Sequence, residues 1–487
     1  MDVRIGSVLM SVACIHGPLA PTETSPTPPI PTESSKPTEP KPADRDGDGF
    51  TADIDCDDAN STIYPGAPEF CDAIDQDCDD EVETTDLLTY FPTGERPRDL
   101  LAELESRGRV RLEGGRVVAC PGTYSVSQTT EIAGVVEIVS SEKARDGVVW
   151  GAVDVSTLQL LPGSQLTVEG ITLTGEGPAV IAADGARLRL TDVAVSEAEV
   201  DEVIAMFGSQ ELTVQDSVFE GSTTTGDLFR LDAAAVSFID VHIQGNDTSG
   251  ALLFSESSQH TLNNVVLTDN LGGVELLDGA VELSSVTVSL GRGAAPAIHL
   301  REIESGFANG VVVSDNPGDG IRFDRTVPTT LPFAFMSFDN IVGERNAGSG
   351  FILSASADQI IGMDESRFEG NGGPLVDGGG VRVLGAGAIL ETGGVDLIGN
   401  TANRGGAVYL GGGFAYFEDS MIWSNTASDG ALFVEDLVGY ALLETVCVNF
   451  GEDVTANAPA DAVSAADSLD LVGKASVTCT GGGCTLF

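Results

Sequence analysis

The residues best equipped for chemistry lie near the start of the chain. Asp44-Arg45-Asp46-Gly47-Asp48-Gly49-Phe50 alternates carboxylates and then turns on a glycine. With Asp44 at loop position 1, Asp46 and Asp48 fall at positions 3 and 5. Gly49 takes the sharp turn, Phe50 offers a backbone carbonyl, and Asp55 stands at position 12. Calcium takes about six to eight oxygen ligands, and one tight loop of this spacing supplies several of them. The usual residue at position 12 is a bidentate Glu, so the shorter Asp55 predicts a weak site. No long helical pattern flanks the loop, so the likeness to an EF-hand is in ligand spacing only. A second cluster, Asp72, Asp75, Asp77 and Asp79, repeats the alternation, with Asp80 where a glycine is expected. Copper would call for His, Met or thiolate ligands. None of the 4 His falls in this stretch, which favours calcium.

Between the clusters run Asp55-Cys56-Asp57-Asp58, Tyr64-Pro65-Gly66-Ala67 and Glu69-Phe70-Cys71-Asp72. Together, residues 44–83 resemble the "putative metal-binding motif" family of secreted bacterial proteins. That resemblance implies a bound metal without fixing which one. Ala73 and Asp80 depart from the glycines usual in the family.

The flanking segments point to export. Residues 1–14 read as a short signal whose Ser11-Val12-Ala13-Cys14 resembles a lipobox, which would lipidate Cys14; an ordinary export signal is the alternative. Residues 15–43 are rich in Pro, Thr, Ser and Glu and read as an extended tether. Of the 8 cysteines, Cys56, Cys71 and Cys78 lie in the acidic segment, and Cys479 and Cys484 bracket a glycine-rich loop. Sequence cannot fix connectivity; Cys56–Cys71 and Cys479–Cys484 are the pairings guessed from proximity.

What must carry this segment is written in the remaining chain. Two period-2 apolar runs followed by a turn recur, starting at Leu166, Leu188, Leu212 and Val236 and continuing at a looser step. Asn246, Asn270, Asn316, Asn346, Asn371, Asn400 and Asn425 keep pace, each soon followed by Gly. Asn tolerates left-handed backbone and bonds its neighbours, so one per coil would stack into an internal ladder. Fixed period, alternation and a recurring turn residue identify a solenoid. The expected fold is all-β: a right-handed parallel β-helix of about 13 coils, with a calcium-binding-type loop segment before it and a small capping helix. The pattern resembles the pectin-lyase-like β-helix, and Asp396 to Tyr409 resembles the repeat of polymorphic outer-membrane proteins. An amphipathic helix over 98–107, with Leu100, Leu101 and Leu104 on one side, would cover the first open edge. Residues 84–165 read as the cap and first coils, and 166–487 as the β-helix proper.

A net charge of −51 argues against nucleic acid, and against acidic polysaccharides unless cations bridge the two. Catalytic signals are thin. Asp315, Asp319 and Asp324 group together, whereas His242, His260 and His299 are spread over different coils and read as structural. The Asn-x-Asp, Asp-Asp and Gly-His-Gly signatures of hydrolases with this fold are not found. Three functions follow: a surface rod that binds a glycan or cell-surface ligand, a polysaccharide lyase or hydrolase, and a structural spacer. The first is preferred, as an exported monomer that meets the membrane only through a lipid anchor.

Overall fold

Alternation at the level of single residues builds the whole chain. In Leu166, Val168, Leu188, Leu190, Leu212 and Val214 every second side chain is buried, and the intervening polar residues face out. A strand with one wet and one dry face must stack its dry face on others, and parallel coils do this without hairpins. The computed structural model describes residues 43–106, 110–142, 145–327, 335–356, 359–428 and 431–434, and beyond these the backbone of short strands. Cys14 and nearly all of the proposed tether lie outside the described residues.

The strands stack in parallel register into three long sheets of a right-handed β-helix of about 13 turns. In the first sheet Leu166 pairs with Leu188, Leu188 with Leu212 and Leu212 with Val236, as the sequence spacing predicts. The second sheet runs through Val195, Phe219 and Ile243, and the third through Phe229, Leu253 and Val274. No described helix is long and apolar enough to cross a membrane.

The start of the helix is closed twice. The helix expected over 98–107 is Leu100–Ser106, with Leu100 and Leu104 buried, and Arg98–Asp99 is instead a short strand paired with Thr89 and Tyr90. The strand Leu88–Pro92 also pairs antiparallel with Gly115–Ala119 and covers the edge of the first coil's strand. Sequence reading missed that strand. After Gly115–Ala119 the chain turns at Cys120 and Pro121 and resumes at Gly122–Val126.

The asparagines form the expected ladder. Asn246 Nδ2 donates to Asn270 Oδ1 at 2.9 Å, and Asn316, Asn346, Asn371 and Asn400 each donate to the next rung at 2.9–3.1 Å. Each rung's main-chain N–H bonds the same oxygen, as Asn371 does at 2.9 Å to Asn400. The rungs sit in the corner after the second sheet, where the backbone polar groups would otherwise be buried without partners. The ladder breaks once, at Gly291, where Arg292 reaches back to the Asn246 and Asp269 carbonyls. Replacing Asn371 by Ala should lower unfolding stability by about 1–3 kcal/mol, the cost of stranding buried partners. Denaturant unfolding of the full chain checks this, and an unchanged midpoint would contradict it.

Candidate metal centre

The first acidic loop is shaped by its own main chain. Asp44 accepts from the N–H of Gly47 at 2.7 Å and of Gly49 at 3.1 Å, and Asp48 accepts from Phe50 at 2.8 Å. Gly47 and Gly49 have φ of +84° and +102°, which only glycine adopts freely. The loop therefore folds around its carboxylates, and Asp44, Asp46 and Asp48 each place an oxygen within 4.8 Å of the others. Asp55, held by the Asp57 N–H at 2.9 Å, stands outside this three-residue grouping but near enough to feel the charges of Asp46 and Asp48.

Residues 75–81 repeat this geometry. Asp75 accepts from Asp79 and Asp80 at 3.3 and 2.8 Å, and Asp79 accepts from Glu81 at 2.8 Å. Cys78 and Asp80 take φ of +61° and +71°, so Asp80 adopts the backbone of the missing glycine. The residue that joins Asp75 and Asp77 here is Glu69, which sequence reading did not select. Glu69 Oε1 accepts from the N–H groups of Gln76 and Asp77 at 2.7 and 2.9 Å, fixing the carboxylate against the loop. Asp72 lies beside this group, where it accepts from Ile74 and from the Gln76 amide. Asp79 is exposed and stands outside the three-residue grouping. A matching pair of Asp-x-Asp-x-Asp loops was legible in the sequence; a Glu six residues ahead of the second loop was not.

Electrostatics separates these loops from ordinary acidic surface. Asp48, Asp55 and Glu69 are only 5%, 8% and 9% exposed. Asp46 Oδ2, Asp48 Oδ2 and Asp55 Oδ2 are buried without a hydrogen-bond partner, and so are Glu69 Oε2, Asp77 Oδ1 and Glu83 Oε2. A buried carboxylate oxygen without a partner costs several kcal/mol unless a cation or proton meets it. Burial, with the charges of Asp48 and Asp46 adding to it, holds the Asp55 carboxyl above its ordinary range. Burial likewise raises Glu69 and Asp77, both of which face the charge of Glu83. Every converging donor is an oxygen, and the nearby Cys56 and Cys78 are joined in a disulfide. The donor set fits a hard cation.

The segment is fastened to the β-helix. Cys71 is bonded to Cys120 at the corner of the first coil, and the second disulfide is Cys56–Cys78. The guessed Cys56–Cys71 pairing is therefore wrong. Folding brings position 56 to the turn of the second loop, beyond what proximity in sequence suggests. Cys479 and Cys484 stand in register across a terminal hairpin, with side chains outside the described residues. Arg96 donates to the Asp48 carbonyl and lies 5.0 Å over the Tyr64 ring, on which Phe50 stacks. Thr89 Oγ1 donates to the Glu69 carbonyl at 2.8 Å.

The grouped acids of the rod separate into local pairs. Asp315 is held by Arg345 at 2.7 and 2.8 Å, Asp319 accepts from the Ser349 N–H, and Asp324 is bonded by His299 and Arg322. His260 is buried against the Leu277 and Asp278 carbonyls, and burial lowers its pKa from the usual imidazole value.

In a metal-free protein the raised carboxyls of Asp55, Glu69 and Asp77 favour the protonated form. Their contribution to stability is greatest below the unfolded carboxyl range and is lost as pH rises through the folded values. A bound cation reverses this at neutral pH. Added divalent cation should therefore stabilise the chain more at pH 7 than at pH 5, which parallel thermal melts test. Equal shifts at both pH values would contradict it.

Comparison with known proteins agrees with this division. Residues 55–83 match the family described as "Putative metal-binding motif", whose label refers to copper binding, and residues 228–402 match the right-handed β-helix region family. No curated protein matches the chain. One similar solved structure is a catalytic domain of GH87 alpha-1,3-glucanase in complex with nigerose. It is 9% identical with a TM-score of 0.31, covering 76% of this chain and 64% of that one. A likeness of this size carries no argument about activity. The chain thus joins a metal-binding motif to a right-handed parallel β-helix.

Proposed function

We propose that this protein is an exported, calcium-binding β-helix that presents its rod as a binding surface. The observation that carries the metal assignment is the pair of carboxylate groups with buried, unpartnered oxygens, one around Asp46, Asp48 and Asp55 and one around Glu69, Asp77 and Glu83. Oxygen-only donors on small loops suit calcium, which accepts irregular geometry and high coordination. Copper would need softer or nitrogen ligands. Asp44, Asp75 and the Phe50 carbonyl complete the candidate sets. The disulfides Cys56–Cys78 and Cys71–Cys120 among the described residues support export, because such bonds persist in oxidising compartments. The fastening of both loops to the first coil makes the ion part of the cap: it would hold the motif to the rod as well as the loop to itself.

A binding role rests on the rod's in-register sheets, which repeat outward side chains along one axis. An alternative is a glycan-active enzyme, for which the dispersal of Asp315, Asp319 and Asp324 into separate pairs gives little support. Isothermal titration of the full chain should show calcium binding at roughly 0.1–1 mM, the range of extracellular modules. Asp46→Ala with Asp48→Ala should remove one component and Glu69→Gln should weaken another. No heat and no change in melting at saturating calcium would overturn the assignment.

A further inference from the structure

The outward face of the first sheet changes character along the rod. Thr167, Arg189, Thr213 and Ser237 stand in register on its early coils and present polar groups to water. The same row runs on through Thr261 and Glu282 to Phe307, which is 43% exposed. On the coils that follow, the row beside it is apolar. Phe335, 50% exposed, pairs with Ile360, Ile360 with Ile389 and Ile389 with Phe414. These side chains point away from the core, because the adjacent Met336, Ile361, Leu390 and Ala415 are the buried ones. Phe335 leans over Gly362, where even a methyl group would lie 3.2 Å from its ring. The far end of the same strands carries charge instead. Asp339, Asp364, Gly393 and Glu418 form one register row, and like charges stacked on neighbouring strands repel. Asp364 leans over Gly393, and the row lines an open groove of about 650 Å³. Elsewhere on the rod acids are met by arginines, as Asp315 is by Arg345 and Asp377 by Arg404. Asp339, Asp364 and Glu418 form no ion pair among the described residues.

We propose that this face docks a cationic amphipathic helix of a partner protein, with its apolar side on the Phe335–Phe414 row and its basic side chains over the Asp339–Glu418 row. Spacing and charge select that occupant. Successive coils are about 4.8 Å apart and one helical turn rises about 5.4 Å, so a helix laid along the rod sets an apolar residue on each coil. The apolar and acidic rows lie four residues apart on each strand, about 13 Å, which a helix about 10–12 Å wide with long basic side chains spans. A molecule of net charge −51 draws a cationic partner in and repels a second copy of itself. The same acids repel an anionic lipid surface. Contiguous apolar side chains left in water mark association sites, and a helix laid by its apolar face onto such a surface is a recurrent mode of recognition. Members of each row are more than twenty residues apart in sequence, so the coil register alone assembles the face. The proposal rests on the binding role of the rod and does not depend on the metal.

Fluorescence anisotropy of the full chain in calcium-containing buffer tests this with three labelled peptides. One repeats Leu at helical positions i, i+3, i+4 and i+7 with Lys between, one is its scramble, and one has Glu in place of Lys. The Leu/Lys helix should bind at least tenfold tighter than either control. Phe335→Ser with Ile389→Ser leaves the charge unchanged and should weaken it at least tenfold. Should that double variant lose its fold, Phe335→Ser alone, at the most exposed position of the row, should still weaken it at least threefold. Asp364→Asn with Glu418→Gln should weaken it and flatten its salt dependence, whereas Phe207→Ser, at an exposed aromatic on an earlier coil, should change nothing. Equal binding of the scramble, or binding unmoved by the apolar variants, would overturn the proposal and leave only attraction between opposite charges. Concentration-dependent dimerisation abolished by Phe335→Ser would overturn it in favour of a second copy. No binding of the Leu/Lys peptide would overturn it as well; the binding role itself falls only if an immobilised glycan panel also retains none of the chain.

Discussion

Like charges held close together, with their oxygens turned away from water, are the constraint on which the N-terminal half of this design depends. Asp46, Asp48 and Asp55 in one loop and Glu69, Asp77 and Glu83 in the other each bury an oxygen that no protein group meets. Main-chain N–H groups satisfy the other oxygens of Asp46, Asp48, Asp55 and Glu69, so these carboxylates are held in place and cannot rotate out to water without losing those bonds. Such an arrangement is unfavourable alone and becomes favourable around a cation. The bonds to Cys120, Arg96 and Thr89 then transmit that dependence to the first coil, whose edge the chain must close in any case.

The rod answers a different constraint, the satisfaction of buried polar groups at its corners. The Asn ladder does this by repetition, each amide bonding the next, and Arg292 bridges the coil between Asn270 and Asn316 that lacks a rung. Inside, phenylalanines pack edge to face, as Phe219, Phe229 and Phe238 do. A core this regular leaves the outward positions free to vary. Chemistry on such a rod is therefore a matter of which outward residues the register lines up.

This explains what the sequence disclosed and what it withheld. Period and alternation are properties of neighbouring residues, so the coils, the capping helix and the Asn ladder could be read directly. The first loop was legible because Asp44, Asp46, Asp48 and Gly49 are contiguous. Glu69 and Glu83 were not, because they reach the second site only once the chain has folded around Gln76 and Asp77. Asp80 cast doubt on that loop for a sound reason, the rarity of its backbone in non-glycine residues, yet it takes that conformation. The Cys56–Cys78 and Cys71–Cys120 pairings and the antiparallel strand Leu88–Pro92 are likewise products of tertiary contact.

The most direct measurement is the position of the cation itself. A crystal of the full chain grown with terbium, a calcium substitute with strong anomalous scattering, would locate it without reference to activity. The account predicts one peak bounded by Asp46, Asp48 and Asp55 and another bounded by Glu69, Asp75 and Asp77, each about 2.3–2.6 Å from its oxygens. Occupied surface sites elsewhere with both loops empty would contradict it.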